Sequence, residues 1–199
     1  MTTADTDRML VESAIPRFDS VITEHAVVRA DPATTFRAAQ ILDFLAVRTP
    51  LLTASMWIRG VPARLLRKTA PPPAHLLLSE GTGMPGWLLL GERPDREIAF
   101  GAVGKFWQPM IEWHDVPQTE FSDFTEPGWG KIAANFSFLP YGENTLLSYE
   151  CRTVTTDPES RRRFLRYWWL IRPFVGHIMR ATLATVKADA EAAANTRGR

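Results

Sequence analysis

Glu112, His114 and Asp115 stand together around Trp113, and a carboxylate beside an imidazole is a pairing that moves protons near neutral pH. Residues at i and i+2 share a face only on a strand, whereas this stretch reads as a loop, so the group is taken as a solvated charged turn. Glu150 and Arg152 alternate with Tyr149 and Cys151 on a strand. If the odd positions face the interior, the two charges face outward, and that is the reading adopted. With the faces reversed, Glu150 would be the carboxyl whose pKa burial raises toward the useful range, and Tyr149 would leave the interior. Cys151 has no histidine near it in sequence and reads as a small buried apolar residue rather than a nucleophile.

The four histidines, at 25, 75, 114 and 177, fall in unrelated segments without metal-ligand spacing, so no metal is expected. Gly81-Thr82-Gly83 lacks the Lys-Ser/Thr of a phosphate loop and the strand–turn–helix setting of a dinucleotide site. No cofactor is expected. Arg161, Arg162, Arg163 and Arg166 crowd the start of a helix, where the macrodipole prefers negative groups, so helix stability does not explain them. Water and the chain's own carboxylates, Glu159 among them, are the expected partners; an anionic headgroup or a ligand carboxylate is the sharper alternative.

The elements that must position these groups are legible in outline. Asp157-Pro158 opens a helix, and Phe164, Trp168, Ile171, Val175, Ile178, Leu183 and Val186 recur along one side of it to about residue 194. At about 1.5 Å per residue it runs on the order of 55 Å, long enough to cross a whole sheet, with a bend expected at Pro173 and Gly176. Residues 21–29 predict a first strand, and Asp31-Pro32 starts a helix directly after it. Two short helical pieces are expected over 50–68, a Pro-rich connector at 70–73 and a glycine loop at 81–86. Strands are predicted at 87–92, 96–107, 118–124, 128–139 and 144–155, joined by short turns into an antiparallel meander. Ile132, Ala134, Phe136 and Phe138 form the buried face of one strand, leaving Lys131, Ala133, Asn135 and Ser137 on a wetter one. Ile98, Phe100, Ala102, Gly104 and Phe106 match that buried face on a neighbour, as do Leu147, Tyr149, Cys151 and Thr153. Ala102, Gly104 and Ala134 cannot fill the space between sheet and helix, so either neighbouring aromatics lean in or a cavity remains.

Composition sets the outer limits. A chain of 199 residues with 45% hydrophobic and 23% charged residues is ordinary for one globular domain. A net charge of +1 gives no general electrostatic reason to bind nucleic acid. The single cysteine excludes an intrachain disulfide, and the opening residues lack a signal segment, so a cytoplasmic location is expected. Apolar runs such as Trp87–Leu90 fall far short of the roughly 20 residues that span a bilayer, leaving peripheral membrane contact at most. Residues 1–19 are expected as a partly disordered or surface-packed extension, 20–194 as the domain and 195–199 as a frayed end.

The order of elements resembles the helix-grip fold, an α+β architecture in which a curved antiparallel sheet wraps a long C-terminal helix. The chain is similar over roughly residues 15–190 to the superfamily of START lipid-transfer domains, plant pathogenesis-related allergens, aromatic polyketide cyclases and ring-hydroxylase C-terminal domains, abbreviated SRPBCC. The likeness lies in residues 22–30 followed by Asp31-Pro32-Ala33-Thr34-Thr35-Phe36, in Gly101-Ala102-Val103-Gly104-Lys105-Phe106-Trp107, and in Glu126-Pro127-Gly128 leading into the long strand. It continues in Ser148-Tyr149-Glu150-Cys151-Arg152-Thr153 before Thr156-Asp157-Pro158, and in the Arg-rich helix opening with Tyr167-Trp168. These resemble uncharacterised bacterial members of the group. The superfamily shares a fold and a cavity without a shared catalytic motif. The resemblance implies a hydrophobic ligand, such as a lipid, polyketide or sterol-like compound. The expected lining is Phe100, Phe106, Phe136, Phe138, Tyr149, Phe164, Trp168 and Ile171. Two other readings stay open: a cyclase- or dehydratase-like enzyme using a pocket carboxyl or histidine, and a protein-interaction or stress-related domain with a closed cavity.

Overall fold

The computed structural model describes residues 8–42 and 86–197. The helical pieces, connector and glycine loop expected between 50 and 85 lie outside the described residues. The elements are α1 (Leu10–Ala14), β1 (Ser20–Val28), α2 (Pro32–Gln40), β2 (Trp87–Arg93), β3 (Glu97–Gly104), β4 (Trp113–His114), β5 (Gly130–Tyr141), β6 (Asn144–Thr155) and α3 (Pro158–Arg197). Five strands form an antiparallel sheet in the order β1-β6-β5-β3-β2, and β4 adds a short pairing to the end of β3. This sheet with its C-terminal helix is the helix-grip α+β fold.

Local chemistry explains the elements. Asp31 caps α2, accepting from the Thr34 amide at 2.9 Å and the Thr34 hydroxyl at 2.6 Å, and Pro32 fills the first turn. Those bonds, the Thr34 hydroxyl foremost, hold its carboxyl below the ordinary 3.8. Asp157 does the same for α3. Its Oδ1 accepts from the amides of Glu159 and Ser160, both at 2.9 Å, and its Oδ2 from the Ser160 hydroxyl and the Gly128 amide, both at 2.7 Å. The last bond ties the helix start to the entry of β5. Asp19 adds a second tie: Oδ2 accepts from the amide and hydroxyl of Thr155 at 2.8 and 2.6 Å, while Oδ1 pairs with Arg161 at 2.9 Å.

The strand faces follow the pleat. Ile98, Phe100, Ala134, Phe136, Phe138 and Leu147 turn inward and pack with Val28 of β1, Phe36 and Ala39 of α2, and Leu183, Val186 and Ala190 of α3. The opposite face is not wet. Lys131, Ala133, Asn135 and Ser137 are all buried, because α1 and the excursion between β3 and β5 lay Val11, Ile15, Phe121 and Trp129 over that side. Small outward residues make this possible: at Gly101 a side chain would meet the Phe121 ring at 2.9 Å and the Ile132 carbonyl at 2.8 Å. The near-continuous apolar run of β3 is what a strand buried on both faces looks like.

The segment 118–124, predicted as a strand, instead holds a 3-10 turn at Gln118–Glu120 and a loop. Lys131 explains it. The buried ammonium donates to the carbonyls of Phe121 at 3.2 Å and Ser122 at 2.8 Å, so these backbone acceptors serve the lysine rather than a ladder. Burial lowers the Lys131 pKa, with the charge of Asp123 partly opposing it.

Candidate functional site

The inward face of the sheet carries a connected set of aromatic rings. Trp113 meets Trp87 at 6.4 Å between ring centroids and Phe106 at 6.0 Å; Trp87 meets Phe100 at 5.5 Å. Phe100 then touches Phe136 at 6.0 Å and Tyr149 at 6.2 Å, and those two lie 4.3 Å apart. Across from the sheet, Phe164 and Trp168 of α3 stack at 5.9 Å. Such tilted and edge contacts are favourable geometries for the ring quadrupoles, and they fix the wall's shape.

The eight lining residues expected from sequence divide by depth. Phe100, Phe106, Phe136, Phe138 and Phe164 are buried, with Phe138 packed edge-on against Phe36 of α2 at 5.3 Å. Tyr149, Trp168 and Ile171 are half-buried, as are Trp87, Leu89, Cys151 and Val175. Sequence reasoning had not placed Trp87, Leu89 or Trp113 at the site. Trp87 and Leu89 share the inward face of β2, a period-two signal hidden inside an unbroken apolar run, and Trp113 lies in the stretch read as loop.

Tyr149 and Cys151 lie on β6, an interior strand paired on both sides, where they pack against the core yet stay only half-buried. Their ladder partners are small or aliphatic on one side: Cys151 faces Ile22 across β1 and Ala134 across β5. Burial pushes the Cys151 thiol up to about 12, the nearby charge of Glu150 adding to it, and burial raises the Tyr149 phenol as well. Both groups are neutral at physiological pH. They place a weak donor and a hydroxyl on the otherwise apolar inward face.

The charged candidates lie elsewhere. Glu150 and Arg152 face outward and pair with each other; Arg152 also donates to the Ile15 carbonyl at 3.2 Å and lies 5.0 Å over the Phe18 ring. Glu112 pairs with Lys105 at 3.0 Å. His114 sits between Phe124 and Trp129, on the outward side, with Glu126 at 3.8 Å. The inward carboxylate of β1, Glu24, is bound by Arg180 of α3. Among the described residues no cluster of His, Cys, Asp and Glu could hold a metal ion. One buried carboxylate had no sequence signal: Glu97 faces the outer side of β3, accepts from the Leu10 amide at 2.8 Å, and lies 2.8 Å from the Arg93 guanidinium. Its Oε1 makes no well-directed hydrogen bond, so the ion pair alone satisfies that oxygen.

A polar cleft of about 390 Å³ opens beside the start of α3, lined by residues that include Lys105, Gln108, Asp157 and Arg163. Its cations are already paired, Lys105 with Glu112 outside the cleft and Arg163 with Glu159 within it.

The topology and the long C-terminal helix define a helix-grip α+β domain with an aromatic inward face. No family model matches the chain, and no curated protein matches it. Among solved structures it is similar to protein CV1439 from Chromobacterium violaceum, at 16% identity over 86% of this chain and 96% of that one, with a TM-score of 0.37. It is similar also to CalU16 from Micromonospora echinospora, at 13% identity over 88% and 86% of the two chains, TM-score 0.31. The third likeness is to Ara h 8.0201, at 12% identity over 85% and 98%, TM-score 0.38. The fold assignment rests on the chain's own strand order and helix. No described helix is long and apolar enough to cross a membrane.

Proposed function

We propose that this domain binds an apolar or aromatic small molecule, such as a lipid, polyketide or sterol-like compound, between the inward face of its sheet and α3. The observation that carries the reading is the half-burial of Tyr149 and Cys151 on a strand paired on both sides, among rings that otherwise pack closely. Trp168, Ile171 and Val175 of α3 are half-buried too and lie on the side of the helix that carries the buried Phe164. Binding draws mainly on removing apolar surface from water, at about 25 cal/mol per Å². The Tyr149 hydroxyl is the polar group best placed to orient a ligand.

Carriage fits better than catalysis. The polar side chains on the inward face of the described strands are neutral or paired: Tyr149 and Cys151 are held protonated, and Glu24 is bound by Arg180. Native mass spectrometry of protein purified from its own host, followed by organic extraction, tests the reading. A stoichiometric apolar molecule, or micromolar binding of a naphthalene-sulfonate dye displaced by such molecules, is the expected result. Protein that is reproducibly ligand-free and does not bind the dye overturns it.

A further inference from the structure

Residues 160–188 contain seven of the chain's 23 lysines and arginines and none of its 22 acidic residues. Within them, one arc of α3 is exposed at every position: Arg162, Leu165, Arg166, Trp169, Leu170 and Pro173, spaced three and one residues apart. Trp169 is 82% exposed and Leu170 62%. The helix turns this arc away from the sheet, since Phe164, Trp168, Ile171 and Val175 lie on its other side, so the apolar groups here are not spare core. Neighbouring arginines are consumed: Arg161 by Asp19 and Arg163 by Glu159. Among the described residues no carboxylate pairs with Arg162 or Arg166.

We infer that this arc docks the protein on an anionic lipid surface. Charge complementarity selects the occupant. Two unpaired guanidiniums flank an exposed indole and a leucine on a strip on the order of 17 Å long, at about 1.5 Å per residue. Guanidiniums at headgroup depth with indole and leucine below them are the arrangement of an interfacial helix. A second copy of the chain would bring the same positive charges face to face. Pro173 ends the arc and leaves the Trp169 carbonyl without its i+4 amide donor, a group that headgroup water satisfies and a dry protein interface would strand. The inference goes beyond ligand binding and does not depend on it, because the arc and the cavity lie on opposite sides of the helix.

Flotation of the full chain with vesicles tests it, comparing phosphatidylcholine alone with a 7:3 mixture of phosphatidylcholine and phosphatidylserine, about 30% anionic lipid being enough for a strong surface potential. Flotation with the mixed vesicles, lost in pure phosphatidylcholine and at high salt, is the expected result. Trp169→Ala with Leu170→Ala, and separately Arg162→Gln with Arg166→Gln, should each weaken partitioning roughly tenfold or more while leaving the far-ultraviolet spectrum unchanged. Failure of the wild type to float, or equal flotation of wild type and both variants, overturns the inference. So does a concentration-dependent dimer abolished by the Trp169→Ala, Leu170→Ala pair, which would assign the face to a second copy. Dye binding in the cavity is unaffected by either outcome, so the two proposals fail separately.

Discussion

Replacing Cys151 with leucine distinguishes an open cavity from a packed core, because the two give opposite signs. Cys151 lies on the inward face of β6 between Ile22 and Ala134, half-buried on a strand paired on both sides. If its thiol borders open space, the larger side chain enters that space without displacing neighbours. Each added methylene then contributes about 0.8 kcal/mol of burial, less the small cost of fixing leucine's rotamer. Stability should hold or rise by up to about 1 kcal/mol. If the space is already filled, overpacking costs about 1–3 kcal/mol. At about 2–4 °C per kcal/mol for a chain of this size, that is a Tm lowered by roughly 2–12 °C. Intrusion into the cavity should also cut dye affinity roughly tenfold, since a methylene-sized misfit in an apolar pocket is worth about 1–3 kcal/mol. Calorimetry and dye titration on the same preparation read both quantities. An unchanged Tm with weakened dye binding supports the cavity; a Tm lowered by more than about 5 °C with unchanged dye affinity refutes the reasoning.

Four further outcomes follow from the same geometry. The Cys151 thiol, raised from its ordinary 9.0 to about 12, should alkylate with iodoacetamide at pH 8 roughly a thousandfold more slowly in the folded protein than in urea, the ratio of thiolate in the two states. A folded-state rate within tenfold of the unfolded one would count against its burial. Asp157→Ala removes the cap of α3 and the tie to Gly128 and should cost about 1–2 kcal/mol by urea denaturation. The Asp157 carboxyl is held at about 2, the Ser160 hydroxyl foremost among the bonds responsible, against an ordinary 3.8. Its contribution is complete above pH 3.8 and is lost as pH falls toward 2, so the gap in urea midpoint between wild type and Asp157→Asn should close over that window. Glu97→Ala leaves the Leu10 amide and the Arg93 guanidinium without their carboxylate. It should cost about 2–3 kcal/mol and speed tryptic cleavage at Arg17; unchanged cleavage would mean that α1 is held by its apolar contacts alone.

Elements whose pattern comes from one physical cause were legible in the sequence. Asp31-Pro32 and Asp157-Pro158 each bring a side-chain acceptor and a pre-set first turn, and the structure starts helices at both. The period-two face through Phe136, Phe138, Leu147 and Tyr149 likewise places these residues inward. What period two could not reveal is the cover on the other face. Lys131 and Asn135 read as solvated, yet α1 and the Phe121 loop bury them, because the decisive contacts join residues about ninety positions apart, as in the Leu10 to Glu97 bond. The strand expected at 118–124 failed because the Lys131 ammonium, ten and nine positions further along, claims the carbonyls of Phe121 and Ser122. At the site, the aromatic wall was legible where rings alternated with polar residues. Trp87 and Leu89 were missed because an unbroken apolar run conceals which residues point in.

The two halves of α3 differ in how closely the rest of the domain covers them. After Pro173 it approaches β1 so closely that a side chain at Gly176 would lie 3.3 Å from Ile22, and Arg180 clasps Glu24 beside that contact. From there Met179, Leu183, Val186 and Ala190 are fully buried and complete the core with α2. Before Pro173 only Ser160 and Phe164 are buried, and the sheetward residues between Tyr167 and Ile171 are at most half-covered. The first half of α3 is therefore covered less closely than the second, on its inner side as well as its outer one. The proposed ligand space and the Arg162–Pro173 arc both belong to this looser half. That places any apolar molecule beneath the first half of α3 one helix diameter, about 10 Å, from the surface that the arc would dock.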